Sequence, residues 1–138
     1  MLRKLLTIVV ILLPAVSICF AGSAPNMQEG NWEITTSMEM QGMPTSMPPV
    51  TYTQCLTKND FVPQSSQQRG ECQITQSKVI GDTVIWVMKC HGHGGDAIAN
   101  GKITYSGNRF EGTVEMSMDY SNMKMVNHIS GQRLGDCK

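Results

Sequence analysis

The segment from Cys72 to Cys90 constrains the fold more than any other part of the chain. Two β-rich runs flank a Gly-Asp pair at 81–82, residue types that tolerate the positive φ angles of tight hairpin turns. The segment therefore predicts a β-hairpin. With a three-residue loop at 80–82, Cys72 lies opposite Cys90 and a cross-strand disulfide can form. A two-residue loop would shift the pairing by one and separate the cysteines onto opposite faces. The first register also places Val84, Trp86, Met88 and Cys90 on one face with Cys72 and Ile74.

The first residues have the composition of a secretory signal. Arg3 and Lys4 precede an apolar run over residues 5–20, and small residues follow from Ala21. The run is short for a membrane span. We expect a signal peptide over 1–21, a polar lead over 22–29 and one domain over 30–138. The mature chain, with no transmembrane span, is then periplasmic or secreted.

The charge balance argues against two classes of partner. Cleavage removes Arg3 and Lys4 and leaves nine basic residues against eleven acidic ones. A net charge near −2 gives no electrostatic attraction to nucleic acid or to an anionic membrane surface. We therefore expect no nucleic-acid partner.

Cleavage also removes Cys19 and leaves four cysteines. An even number in an exported chain predicts two disulfides, although sequence alone allows three ways of pairing them. The hairpin geometry favours Cys72–Cys90, which leaves Cys55–Cys137. The alternative of a four-cysteine metal site lacks the paired C-x-x-C spacing. A lipoprotein signal would use Cys19, but the preceding Ile18 is bulkier than such signals allow.

Alternating side chains predict strands along the rest of the chain. Trp32, Ile34, Met38 and Met40 share one face of a strand over 30–40. Further strands are expected over 50–56, 97–105, 109–118 and 123–129. A proline-rich loop over 41–49, a short helical turn at 57–60 with Thr57 as N-cap, and a mobile polar loop over 63–70 separate them. About seven strands result. The predicted fold is all-β, a small antiparallel β-barrel or sandwich stapled by disulfides.

An ordered series of short motifs runs through the predicted domain. It comprises Gly-x-Trp-Glu at 30–33, a Met-rich run ending in Gly-Met-Pro at 42–44, Thr-Gln-Cys-Leu-Thr at 53–57, Ile-Thr-Tyr-Ser-Gly-Asn at 103–108 with Phe-Glu-Gly at 110–112, and Ser-Gly-Gln-Arg-Leu-Gly-Asp-Cys at 130–137. In these motifs the chain resembles the bacterial exported domain-of-unknown-function family 3617. The resemblance covers nearly the whole mature chain and implies export and a single small β-domain.

The Gly-x-Trp at 30–32 also resembles the start of the first strand in calycin barrels, the group that includes lipocalins. In those barrels a basic residue near the end packs over the tryptophan. The resemblance implies that Arg133 stacks on the indole of Trp32. The simpler interpretation, which we favour, is that Trp32 is a core aromatic at the start of a strand.

Methionine is the compositional outlier, with ten left after cleavage. Three M-x-M pairs, at 38/40, 116/118 and 123/125, each place both methionines on one strand face. Thioethers are soft ligands that suit Cu(I), and Met43 and Met47 can complete a three-thioether set with Met40. The interpretation we favour is that the methionines fill an apolar core or groove, because Met packs irregular gaps well.

His91 and His93, with Asp96 nearby, form a second candidate metal site. The simpler interpretation is a glycine-rich surface turn that carries solvated histidines.

The sequence contains no nucleophile elbow, no Gly-rich phosphate loop and no paired His-Glu zinc motif. We therefore expect a non-enzymatic binding or accessory domain that needs no cofactor. Its working surface is predicted to be a Met-lined apolar cavity or groove, which includes Met38 and takes a small apolar ligand or a protein partner. The alternative is a Cu(I)-binding protein that uses the Met-rich loop with His91 and His93.

Overall fold

The structure is a computed structural model and describes residues 24–45, 47–92, 94–119 and 121–138. The predicted signal peptide over 1–21 and His93 lie outside the described residues. In chain order the elements are β1 (Gly30–Met40), β2 (Val50–Leu56), α1 (Ser66–Glu71), β3 (Cys72–Ile80), β4 (Thr83–Gly92), β5 (Gly95–Tyr105), β6 (Arg109–Met118) and β7 (Ser121–Gly135).

All seven strands belong to one antiparallel sheet with the order β2-β1-β7-β6-β5-β4-β3. The sheet curls into a half-barrel, which confirms the all-β, barrel-like prediction. The alternative sandwich needs two sheets and does not apply. Strands β2 and β3 are consecutive in the chain but lie at opposite edges of the sheet. The connection over 57–71 therefore crosses the open side of the half-barrel.

This connection packs into the concave face. Val62 is buried in the core. The backbone N–H of Gln64 donates to Gln54 Oε1 on β2 at 2.9 Å. Its side-chain amide donates to Met88 Sδ on β4 at 3.0 Å. The Tyr105 hydroxyl on β5 donates to the carbonyl of Phe61. The connection thus links β2, at one edge of the sheet, to the neighbouring strands β4 and β5 near the other edge.

The prediction of a mobile loop over 63–70 was therefore wrong. Ser65 caps α1 through a capping box, in which its hydroxyl accepts from the N–H of Gln68 while the Gln68 side chain accepts from the N–H of Ser65. The helical turn predicted at Thr57 was also misplaced. Thr57 Oγ1 does accept from the N–H of Asp60 at 3.1 Å, but the two residues form an antiparallel β-bridge.

The β3–β4 hairpin differs from its predicted register at one point. Ile80 pairs with Thr83, so the turn contains two residues, with Gly81 at φ 61°. That turn alone would separate the cysteines. A β-bulge at Thr75 adds one residue to β3, and Cys72 again faces Cys90. The bulge turns Ile74 and Cys72 to the inward face of the hairpin, on which Val84, Trp86 and Met88 of β4 are buried.

The two disulfides form as predicted, and each fixes an edge strand. Cys72–Cys90 ties β3 to β4. Cys55–Cys137 ties β2 to the segment after β7, two strands away across β1. Exposed edges are where sheets fray or pair wrongly. Loop-closure arguments give about 3 kcal/mol for the shorter loop and about 4.5 kcal/mol for the longer one.

Inward-facing glycines make room for aromatic rings on neighbouring strands. Gly101 is the direct partner of Trp86, and Gly131 is the direct partner of Phe110. A Cβ atom at either glycine would overlap the partner's ring. Phe110 lies 5.6 Å from Trp32 and 5.3 Å from Tyr105 between ring centroids. The large rings therefore fit inside a strongly curved sheet because these glycines leave space.

We predict that Gly101→Ala lowers the free energy of unfolding by about 2–3 kcal/mol, the cost of overpacking against the buried Trp86 indole. Gly92→Ala is the matched control, because a Cβ there meets no atom within 4 Å. Guanidinium unfolding with both disulfides intact measures the difference. Equal stabilities for the two variants would contradict this account of the glycines.

Candidate functional site

A groove of about 290 Å³ lies on the concave side, between β1, β2 and the start of α1. Strand β1 contributes Met38, which alternation turns to the same face as Trp32 and Ile34. Strand β2 contributes Tyr52, the register partner of Ile34. The full lining, called the methionine groove below, is Thr36, Met38, Met47, Pro48, Val50, Tyr52, Ser65, Gln67, Gln68 and Asn127.

The groove combines an apolar surface with a few polar groups, as small-molecule sites do. Met38, Met47 and Val50 contribute much of the apolar part. Asn127 is in register with Met38 and faces the same side of the sheet. Its Oδ1 is enclosed and makes no hydrogen bond within the described part of the chain. Asn127 therefore adds a polar side chain to the lining of the groove.

The capping box of α1 fixes the polar rim of the groove. Ser65 Oγ accepts from the N–H of Gln68 at 3.3 Å, and Gln68 Oε1 accepts from the N–H of Ser65 at 3.0 Å. The sequence did not predict Tyr52, Gln68 or Asn127 as site residues. The Ser-x-x-Gln pattern at 65–68 was the one local signal for this rim. Tyr52 and Asn127 line the same groove because β2 and β7 flank β1 in the sheet. No local sequence pattern indicates that strand order.

Two tyrosines, the half-buried Tyr52 and the buried Tyr105, resist ionisation. Burial raises the pKa of Tyr52 to about 12, and the nearby positive charge of Arg69 offsets part of the effect. Burial raises the pKa of Tyr105 further still, and the negative charge of Asp60 adds to the rise. Tyr52 therefore acts in the groove as a neutral hydroxyl on an aromatic ring.

The three M-x-M pairs lie on three adjacent strands, β1, β7 and β6. Met40 pairs directly with Met125, and Met125 pairs directly with Met116. All three face the concave side, where alternation also turns Ile34, Ile129 and Val114. We call Met40, Met125 and Met116 the methionine row. None of the three lines the methionine groove, which lies beside them.

The predicted loop set of methionines is divided between two environments. Met47 lines the groove with Met38, whereas Met43 is 65% exposed. The partner of Met40 in the sheet is Met125 of β7, not a loop methionine. Met40 ends β1, whereas Met43 and Met47 lie in the loop before β2. A copper site formed by these three methionines therefore remains a prediction.

The described histidines face away from the methionines. His91 Nδ1 lies 2.7 Å from Asp96 Oδ1 at the exposed β4–β5 end. Strands β7, β6 and β5 separate it from Met40 on β1. His128 Nε2 lies 3.3 Å from Glu39 Oε2 on the outer face. Among the described residues, no group of three or more His, Cys, Asp or Glu side chains is placed to hold a metal ion.

Trp32 and Arg133 are direct partners in the β1–β7 register. The indole contacts the rings of Tyr105 and Phe110, and its N–H donates to the carbonyl of Gln28 at 3.1 Å. Trp32 is therefore the core aromatic that the simpler interpretation expects. Stacking of Arg133 on the indole stays a prediction.

The Arg133 guanidinium makes two polar contacts at the end of the sheet. Nε donates to the carbonyl of Glu29 at 2.8 Å, and Nη2 lies 2.6 Å from Asp136 Oδ1. The guanidinium packs so closely against Gly30 that a Cβ atom on residue 30 would overlap Arg133 Nε. This close approach explains why glycine stands two positions before Trp32.

A larger depression, about 490 Å³, lies on the convex face. Its lining includes Glu33, Arg109, Glu111 and several hydroxyl side chains. Water solvates such groups well, so an apolar ligand gains little there. The smaller methionine groove is the better candidate, because ligand burial there removes apolar surface from water.

The sequence model of a family described as protein of unknown function (DUF3617) matches residues 27–137. The chain belongs to this family. No curated protein and no solved structure matches the chain. No helix in the described ranges is long and apolar enough to cross a membrane.

We predict that folding stability falls as the pH rises above about 10. Tyrosine ionises near pH 10 in an unfolded chain, whereas Tyr52 stays neutral in the folded chain up to about pH 12. The raised pKa values of Tyr52 and Tyr105 therefore favour folding fully below pH 10 and progressively less above it.

Urea unfolding between pH 8 and pH 12 measures this dependence. The double variant Tyr52→Phe/Tyr105→Phe should show a flatter decline above pH 10. It should also be less stable than the parent at pH 8, by about 1 kcal/mol for the lost hydrogen bond to Phe61. A decline above pH 10 as steep as the parent's would refute the assignment.

Proposed function

We propose that the chain is an exported, non-enzymatic binding domain that holds a small apolar ligand in the methionine groove. The observation that carries the proposal is the composition of the groove on the open side of the half-barrel. Thioethers, a proline ring, a valine and a tyrosine meet there beside a short polar rim. The groove volume lies near the lower end of ligand sites, about 300 Å³, and so favours a small ligand.

Several features support a binding role. Methionine side chains are flexible and polarisable, so a groove lined by Met38 and Met47 can adapt to ligands of different shape. Among the described lining residues, Tyr52 alone has a titratable side chain, and its pKa of about 12 does not suit proton transfer at neutral pH. The groove thus favours recognition over acid–base catalysis.

Two features support export. Both disulfides need an oxidising compartment to persist, as the periplasm or the extracellular space provides. The composition of residues 1–21 is that of a secretory signal. A small apolar ligand, rather than nucleic acid, also agrees with the slightly negative charge expected after cleavage.

We predict that the mature domain binds the neutral fluorescent probe N-phenyl-1-naphthylamine and that Met38→Gln weakens binding about tenfold. The substitution replaces an apolar contact worth about 1.4 kcal/mol by an amide that must be desolvated. Fluorescence titration gives the dissociation constants.

Met123→Gln is the matched control, because Met123 is 66% exposed and outside the groove lining. It should bind the probe as the parent does. Circular dichroism confirms that each variant is folded. Equal affinities for Met38→Gln and the parent, or equal losses in both variants, would rule out the methionine groove as the binding site.

A further inference from the structure

The methionine row is a separate feature from the methionine groove. Its three members come from adjacent strands and are joined by two direct register pairs, Met40 with Met125 and Met125 with Met116. Directly opposed side chains in an antiparallel pair have Cβ atoms about 4.5–5.5 Å apart. The sheet curls toward this face, so side chains on neighbouring strands converge. The thioether sulfurs of all three methionines can therefore converge on the concave side of the sheet, next to the central residue Met125.

The row also differs from the other methionines in its surroundings. Its three side chains are half-buried. Met88 is fully buried, and its sulfur accepts a hydrogen bond from Gln64. Met43 and Met123 are about two-thirds exposed. The row thus combines the closeness of core residues with access from solvent, and a metal-binding cluster needs both.

We propose that the methionine row is a Cu(I) site in which Met40, Met116 and Met125 each contribute a thioether sulfur. Soft thioether ligands select Cu(I) over the harder divalent ions. The three ligands are uncharged, so the bound ion keeps its single positive charge, which a partly desolvated site tolerates better than two. The proposal is independent of ligand binding in the methionine groove.

The pH dependence of Cu(I) affinity distinguishes a site made of thioethers from one that uses histidine. A thioether has no proton to lose, so Cu(I) affinity at the row should be constant between pH 5 and pH 8. A site that uses histidine weakens as the pH falls, because protons compete with the metal for the imidazole nitrogen. The pH dependence therefore separates the row from a site at His91.

The test is an anaerobic titration of the mature domain with Cu(I) in competition with the chromophoric chelator bathocuproine disulfonate. We expect one Cu(I) per chain. Met125→Leu removes the central sulfur at similar volume and should weaken binding at least tenfold. The control Met123→Leu lies two residues away on the same strand and should bind as the parent does. Met43→Leu/Met47→Leu tests the loop set and should also leave the affinity unchanged.

Three outcomes of the Cu(I) titrations would overturn the proposal. These are an unchanged affinity in Met125→Leu, a loss in Met43→Leu/Met47→Leu, or an affinity that falls between pH 8 and pH 5. Leucine keeps the apolar character of the row, and circular dichroism verifies the fold of each variant.

As an independent readout, Ag(I) should shift the methyl resonances of Met40, Met116 and Met125 in the folded parent. An absence of such shifts at saturating Ag(I) would also refute the site.

Discussion

The structure depends on the connection between β2 and β3, which covers the open side of a sheet that does not close into a barrel. Seven strands curl into a half-barrel, and its two edge strands, β2 and β3, are consecutive in the chain. The segment between them has to cross the opening. It buries Val62 and binds β2 and β4 through Gln64. Without that segment, the concave face of the sheet would expose an apolar surface that water disfavours.

The same constraint accounts for the disulfides and for the groove. An open sheet has two edges, and each edge strand carries one disulfide, Cys55–Cys137 on β2 and Cys72–Cys90 on β3. The crossing segment covers only part of the concave face. The methionine groove lies where α1 meets Met38 and Tyr52, and the methionine row lies beside it. Both candidate sites are therefore consequences of incomplete closure.

Much of the fold could be predicted from local patterns, whereas the site could not. The alternation of apolar and polar side chains predicted the bounds of β1, β2 and β6, because one face of each strand is turned to the core. The hairpin cysteines were paired correctly, although the turn and the bulge at Thr75 had to compensate for each other. The polar composition of 63–70 gave no sign that Gln64 is buried or that a short capped helix follows it. The groove brings Met38 together with Asn127, a contact that depends on strand order rather than on local sequence.

We propose the open side of the half-barrel as the binding surface of this domain. The most direct measurement is methyl NMR of the domain labelled at its methionines, titrated with N-phenyl-1-naphthylamine. We expect saturable shifts of the Met38 and Met47 methyl groups, which line the groove, whereas the exposed Met43 and Met123 stay unaffected. Saturable binding that leaves the Met38 and Met47 resonances unchanged would show that the ligand binds elsewhere.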